Sequence, residues 1–312
     1  MNCRVVVLNY NGKQLLEECL PSVAEAARKS ARPCAVTVLD NQSADDSEAY
    51  VRGAFPGVEF VKASSNRVFC SYNEYVAGLK EEWVVLLNND MKVDENFLNP
   101  LLSAFDSRKD VFFSAPRTLN FRSAEYEGCL SKLHMRFGLP WGSSRFAGYE
   151  RKIDRAGITM QCGFGAFRRS LFLELGGFDD LYLPGTVEDS DLCFRAYRRG
   201  WRGYYCPESV VYHMGQASFK KAFGDSGLRR LNRRNLYLFV WKNIRDPLLL
   251  AEHVFFMPFW ALKYFLWGQW DFLKGFGDAL KLLPRALAKR RQARAEPSRL
   301  PDRAIFAYSR GI

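Results

Sequence analysis

Two acidic stations, far apart along the chain, carry residue types suited to group transfer. The first is Trp83-Val84-Val85-Leu86-Leu87-Asn88-Asn89-Asp90, an apolar run of buried-strand type that stops in a polar tip. Open α/β sheets present their ligand-binding groups at such carboxyl ends. Asp90 there can hold a divalent cation through oxygen, and the same tripeptide is also ordinary turn chemistry. The second station is Glu188-Asp189-Ser190-Asp191, at the head of a helix-like segment. A carboxylate at Asp189 can take the proton of an attacking hydroxyl. Acids at that position also cap helix N-termini, and the two uses are compatible. One acid for a metal and one for a base outline an enzyme that acts on a phosphate-bearing donor.

The elements that must position these acids follow from periodicity. Strand-like runs at 4–8, 36–39, 58–62, 83–87 and 111–115 alternate with helical ones, the pattern of an α/β protein whose mixed, mostly parallel sheet is flanked by helices. Residues 15–29 read as a helix bent at Pro21, and Ser43 reads as the start of another, with Asp46 in a capping role. Polar groups follow three of the strands: Asn9-Tyr10-Asn11, Asp40-Asn41 and Asn88-Asn89-Asp90. They are expected to converge along one sheet edge. Residues 119–155, rich in Gly, Ser, Arg and aromatics, are too long for an idle connection and read as an acceptor-side insertion. Residues 171–175 and 191–199 read as helical, and 204–212 as a strand interrupted by Pro207.

Composition narrows the class. A hydrophobic fraction of 48% with 15% aromatics excludes a disordered chain. Eight cysteines without a C-x-x-C pair suggest neither a zinc ribbon nor a redox motif, and Cys3, Cys34, Cys162 and Cys206 sit among apolar residues as small hydrophobes. Met1 leads almost directly into a strand-like run, so secretion is not expected and a cytoplasmic location is. The net charge of +11 admits nucleic acid, anionic lipid or a polyphosphate ligand. Beyond residue 228 the chain turns to Leu, Phe and Trp at 236–241, 247–270 and 272–283, followed by Arg285, Lys289, Arg290, Arg291 and Arg294. Glu252, His253 and Lys263, with Gly268, Gln269 and Asp271, argue against a cleanly spanning helix. Aromatics beside a basic run fit helices lying in an anionic membrane surface at the inner face of the cell membrane. A core-packing helical hairpin with a solvated basic tail is the alternative. Much of the surplus charge then serves lipid, and nucleic acid is not an expected partner.

The order of segments resembles family 2 glycosyltransferases, most strongly the rhamnosyltransferase-like branch. The likeness rests on Val6-Val7-Leu8-Asn9-Tyr10-Asn11-Gly12, Val38-Leu39-Asp40-Asn41-Gln42-Ser43, Leu86-Leu87-Asn88-Asn89-Asp90, Gly176-Gly177-Phe178-Asp179, Glu188-Asp189-Ser190-Asp191-Leu192 and Val211-Tyr212-His213. It implies a GT-A-type fold over residues 1–227, with a nucleotide-binding part at 1–118 and an acceptor and catalytic part at 119–227, followed by a helical extension at 228–312. It implies an inverting transfer from a nucleotide-diphosphate sugar, dTDP- or UDP-linked, to a glycan or lipid-linked hydroxyl. Asn9, Tyr10, Asp40, Asn66, Arg67, Asn88 and Asn89 then serve the nucleotide. Asp90 and His213 serve Mg²⁺ or Mn²⁺, Asp189 is the base and Glu188 orients it or contacts the acceptor. Asn88 replaces the first acid of the family's D-x-D motif, which throws the metal charge onto Asp90. Each position also has a plainer use: an Asx turn or cap for Asp40 with Ser43, a solvated guanidinium for Arg67, a structural imidazole for His213. Trp141, Tyr149 and Trp201 are either sugar-stacking or core aromatics. A nucleotidyltransferase or other nucleotide-dependent α/β enzyme is one rival reading, and a non-catalytic membrane-associated module another. The loop after the first strand holds only Gly12 and lacks G-x-G-x-x-G, which counts against dinucleotide binding.

Overall fold

A computed structural model describes residues 2–106, 108–215 and 217–312. Its strands are β1 Cys3–Asn9, β2 Cys34–Asp40, β3 Glu59–Lys62, β4 Trp83–Asn88, β5 Met91–Val93, β6 Val111–Asn120, β7 Tyr126–Gly128, β8 Lys132–Arg136, β9 Leu139–Ser143, β10 Gly157–Ile158, β11 Gly165–Arg168 and β12 Arg202–His213. Its α-helices are α1 Lys13–Lys29, α2 Ser47–Ala54, α3 Ser71–Gly78, α4 Leu98–Ser103, α5 Arg169–Glu174, α6 Glu188–Arg198, α7 Ala217–Asn243, α8 Pro247–Leu266, α9 Trp270–Lys281, α10 Leu283–Ala295 and α11 Asp302–Gly311. The main sheet runs β10-β12-β6-β11-β4-β1-β2-β3, with β5 on β12 and β7 on β6; β8 and β9 form a separate hairpin. Strands β3, β2, β1 and β4 are mutually parallel, as is the β6–β12 pair, while β11 runs antiparallel between β4 and β6.

Alternation along β1 explains the layering. Val5 and Val7 point to one face with Leu16, Leu20 and Val23 of α1, spaced as a helical stripe, while Val6 and Leu8 point to the other with Tyr72 and Val76 of α3. Both faces are covered, which is why these strands read as unbroken apolar runs. The helix expected at Ser43 begins instead at Ser47, and the Asp46 side chain makes no capping bond. Asp45 does that work: its Oδ1 accepts from the Ser47 N–H at 3.2 Å and its Oδ2 from the Lys13 N–H at 2.9 Å, so one carboxylate serves the first turns of α1 and α2 together. Ser43 is drawn away into the β2 tip. The insertion at 119–155 holds the end of β6, β7 and the β8–β9 hairpin.

The boundary expected at 227/228 falls inside α7, near Gly224, whose φ of 64° and ψ of 173° separate two helical segments. Farther along α7, Tyr237, Leu238, Phe239 and Val240 are buried in the same core as Phe194 and Tyr182. The basic run is largely not free. Arg285 reaches Asp180 at 2.8 Å, Lys289 reaches Asp179 and Asp180 at 3.0 and 3.1 Å, and Arg290 donates to the Trp241 carbonyl, so these three cations bind the protein's own oxygens. Arg285, Arg291 and Arg294 of that run stand exposed, Arg285 while paired with Asp180. Helix α8 is long and apolar enough to cross a membrane, by length and composition alone.

One cation ties α7 to the sheet-bearing part. Lys242 Nζ lies 2.7 Å from Asp179 Oδ2 and 2.7 and 2.8 Å from the two oxygens of Asp191, all but shut off from solvent. Burial alone would raise the Asp179 carboxyl, but Lys242, and then Lys289, hold it well below the usual range. Lys242→Met leaves Asp191 with Arg195 as its cation beside the neutral donors Asn243 and Tyr182, and strips Asp179 of its nearest cation. It should destabilise the fold by about 3–5 kcal/mol in urea denaturation, whereas Lys281→Met, at an exposed pair with Asp278, should leave the midpoint nearly unchanged.

Candidate active site

The tips of β1, β2 and β4 are knitted together by side chains. Asn9 Nδ2 donates to Asp40 Oδ1 at 2.9 Å, and Asn9 Oδ1 accepts from Asn89 Nδ2 at 2.7 Å. Asp40 also accepts from the Ser43 N–H at 2.8 Å and the Ser43 hydroxyl at 2.5 Å. Asn9 and Asp40 have no exposure and Asn89 very little, so these three form a satisfied floor rather than an open set of donors. Space for it depends on Gly12, where an added Cβ would lie 2.0 Å from Asn89 Nδ2 and 2.8 Å from Asn9 Oδ1. Above the floor Tyr10 is about half exposed. Asn66 is exposed and its Oδ1 accepts from the Val68 N–H. Arg67 is paired with Asp180 at 3.3 Å.

Strand register brings the second group together. His213 closes β12 opposite Met91 of β5, which places it beside Asp90. Its Nε2 lies 3.4 Å from Asp90 Oδ2, and its Nδ1 lies 3.1 Å from Glu127 Oε2; Glu127 is in turn held by Asn120 at 2.7 Å. Burial works against the imidazolium, yet Asp90 and Glu127 outweigh it and raise the His213 pKa. Asp90 is nearly buried, its backbone carbonyl accepts from the Met214 N–H, and its Oδ1 has no hydrogen-bond partner. An unpartnered buried carboxylate oxygen beside an imidazole fits a divalent cation that draws further oxygens from a bound ligand. Among the described residues no group of three or more His, Cys, Asp or Glu side chains is arranged to hold a metal by itself. Asn88, half-buried, follows on the same strand end.

The acids at the start of α6 lie in a third environment. Asp189 Oδ1 accepts from the Ser190 N–H at 2.7 Å, while Oδ2 lies beside Gly163. Ser190 is held through its hydroxyl by the Gln161 amide. Burial raises the Asp189 carboxyl against the lowering effect of Ser190. Glu188 is almost fully buried, its Oε2 is unpartnered, and burial followed by the neighbouring Asp189 pushes its carboxyl up to about 8. Asp191, by contrast, is fully buried but is held below the ordinary range by Lys242 and Arg195.

A cleft of about 500 Å³ joins these groups. Asp189, Gly163, Glu127 and His213 form its walls, with Ser131, Ser144 and Arg145 from either end of the β8–β9 hairpin. Asn9, Tyr10, Asp40, Asn66, Arg67, Asn88, Asn89 and Glu188 are not among its walls, and neither is Asp90, which lies 3.4 Å from the wall residue His213. Glu127, Gln161 and Lys242 escaped the sequence reading. Glu127 and Gln161 lie in stretches with no periodic signal, and Lys242 lies at the end of an apolar helix where local pattern says nothing of a distant carboxylate. Trp141 is exposed on β9 rather than buried, whereas Tyr149 and Trp201 pack against the core.

Comparison with known proteins places this geometry. The family model described as glycosyl transferase family 2 matches residues 4–176. The N-acetylglucosaminyl-diphospho-decaprenol L-rhamnosyltransferase of Mycobacterium tuberculosis (strain ATCC 25618 / H37Rv) is 26% identical over 239 residues, covering 67% of this chain and 75% of that protein. The O-antigen chain rhamnosyltransferase WbaN of Salmonella anatum is 26% identical over 191 residues, covering 60% of this chain and 58% of its own length. Among solved structures, the mannosyltransferase PcManGT from Pyrobaculum calidifontis in complex with GDP-Man and Mn²⁺ superposes with a TM-score of 0.54 at 20% identity, covering 99% of this chain and 79% of that one. The fold is of the GT-A type.

Two outcomes follow from these packing and charge relations. Gly12→Ala should cost about 1–3 kcal/mol by pushing Asn89 off Asn9, read as a lowered denaturation midpoint; Gly57→Ala, with nothing within 4 Å of its Cβ position, should be near neutral. Glu188 carries a folded pKa raised from 4.5 to about 8, so the folded state binds the extra proton and stability is lost as pH rises between those values. Glu188→Gln should therefore flatten the fall in Tm between pH 5 and about 8. A variant with the wild-type slope would show that Glu188 is not the group responsible.

Proposed function

The chain belongs to glycosyl transferase family 2, and on that premise we propose an inverting transfer of sugar from a nucleotide-diphosphate donor to a hydroxyl of a glycan or lipid-linked acceptor. The observation that carries this is the shared cleft: Asp189 on one wall, and on another His213 with Asp90 behind it. Both curated relatives named above are rhamnosyltransferases, which supports rhamnose as the sugar, dTDP- or UDP-linked, and one of them names a diphospho-decaprenol acceptor. In this reading residues 1–227 form the transferase part, and residues 228–312 a helical extension that rests on the anionic inner face of the cell membrane.

The nucleotide lies across the tips of β1, β2 and β4, with Tyr10 offering a stacking face. The Asn9–Asp40–Asn89 floor fixes the shape beneath it. Arg67, now paired with Asp180, is near enough to the strand tips to meet diphosphate oxygens by exchanging partners. Asp90 and His213 would hold Mg²⁺ or Mn²⁺, which when bound would supply charge neutralisation for a leaving diphosphate. Asp189 Oδ2 takes the proton of the acceptor hydroxyl as its oxygen bonds to the anomeric carbon and the sugar–phosphate bond breaks on the opposite side. A carboxylate raised by burial is a better base than a solvated one, and Glu188 supplies part of that setting. A nucleotidyltransferase would need no such base facing an open acceptor cleft.

A screen of nucleotide sugars with and without chelator tests class and donor together. Asp189→Asn should lower transfer on the order of 10²–10⁴-fold while calorimetric binding of the nucleotide persists. Undiminished transfer by that variant would remove Asp189 from the role of base.

A further inference from the structure

Helix α8 has two unlike faces. His253 and Tyr264 are buried against the protein, whereas Phe255, Phe259, Leu262 and Leu266, spaced by four, three and four residues, are each more than half exposed. The tip of the β8–β9 hairpin is bolted beside this stripe. Trp260 Nε1 donates to the Phe137 carbonyl at 2.8 Å, the Gly138 N–H donates to Glu252 Oε1 at 3.0 Å, and the Phe137 and Phe256 rings lie 5.3 Å apart. Phe137 holds a φ of 50°, a conformation that side chains other than glycine rarely adopt, and its ring is left 45% exposed. Trp141 on β9 is exposed as well, and Arg136 sits over both rings, at 5.2 and 6.0 Å. Lys263 sits in the same way over Trp260 and Trp267.

The other end of the hairpin reaches the catalytic cleft. Ser131 before β8 and Ser144 and Arg145 after β9 line it. Gly142 of β9 lies so close to the Gln161 amide that a Cβ there would come within 2.3 Å of it, and Gln161 holds Ser190 next to Asp189. Five residues per strand span about 16 Å. The hairpin is therefore a strut from an outward aromatic tip to the residues that position the base.

We propose that the β8–β9 hairpin is a second membrane contact: its tip, Arg136 and Phe137, with Trp141 midway along β9 under the same guanidinium, enters the same anionic bilayer interface as the α8 stripe and sets the height of the cleft above the lipid surface. This rests on the membrane reading given above. Two observations select a bilayer over another protein surface. Arg136 lies over the Phe137 and Trp141 rings and Lys263 over those of Trp260 and Trp267, the pairing that suits a headgroup layer where rings sink and charges meet anionic lipid. The α8 acid nearest the tip, Glu252, is turned inward onto the Gly138 N–H and offers no charge to repel that layer. An acceptor hydroxyl displayed at the membrane surface then meets Asp189 at a fixed height.

Flotation of the full chain with phosphatidylglycerol-containing vesicles tests this, using Phe137→Ser/Trp141→Ser and Phe255→Ser/Phe259→Ser, with circular dichroism melts confirming that each variant folds. The hairpin variant should partition about tenfold more weakly than the wild type, from the apolar area withdrawn from the interface. Quenching of tryptophan fluorescence by brominated lipid should fall in Trp141→Phe. If the hairpin variant floats as the wild type does and Trp141→Phe loses no quenching, while the α8 variant is released, the strut proposal fails and the membrane reading stands. If the wild type does not float and instead runs as a dimer, both fail, because the face then pairs two copies of this chain.

Discussion

The start of α6, with its three acids, depends on where one ammonium sits. Lys242 is held within 2.8 Å of three carboxylate oxygens belonging to Asp179 and Asp191. Between those acids runs the segment that launches α6, and it is an awkward segment: Gly185, Thr186 and Val187 all have positive φ. Two β-branched residues in that region are held there only by their surroundings. The surroundings are again α7, where Asn235 Nδ2 donates to the Gly185 and Thr186 carbonyls and Arg234 to that of Leu183. Asp189 stands two residues beyond the strained turn. Its direction is set by a helix lying outside the stretch that carries the family likeness.

That arrangement separates acids that are neighbours in sequence. Asp191 faces Lys242, Arg195, Asn243 and the Tyr182 hydroxyl and is held ionised. Glu188 and Asp189 face the other way, without a cation, and burial raises both. Four consecutive residues thus contain a structural anion and a pair poised to carry a proton, and the difference lies entirely in what each faces. Glu188 is the costly member, buried with one oxygen unpartnered. Such a cost is characteristic of a working site rather than of a stabilising one.

The sheet and the identity of its acidic tips were legible because their causes are local. Val5 to Leu8 and Val84 to Leu87 announce a two-sided parallel core, and a polar residue that ends such a run can only lie at its carboxyl edge. The partners of those tips were not legible, since they come from register and from distant helices. Nothing near Asp90 predicts that β5 will pair with β12 and seat His213 beside it. Nothing near Asp40 shows that Asn9 and Asn89 will close around it. The Ser43 helix start was misjudged because two acids compete there: Asp45 reaches the N–H groups of both α1 and α2, while Ser43 is taken by Asp40. Basic residues beyond 283 read as serving lipid, with a solvated tail as the alternative, and three of them turn back onto Asp179, Asp180 and the Trp241 carbonyl.

The helical extension therefore has an inner role that is fully accounted for and an outer one that is not. Inward, His253 accepts from the Trp241 indole N–H through Nε2 and so donates through Nδ1 to the Gly138 carbonyl; burial keeps this imidazole neutral, as the arrangement requires. Those contacts, with Trp260 and Glu252, suffice to dock α8 and to hold the hairpin tip. In the stripe, Phe255 and Phe259 touch Phe256 beside the hairpin tip, yet they, Leu262 and Leu266 each stay more than half exposed. Exposed apolar area of that extent opposes solubility, which is the physical ground for the membrane contact proposed above. Because the same helix fixes the hairpin that borders the cleft, whatever covers the stripe is mechanically connected to the cleft wall that holds Asp189.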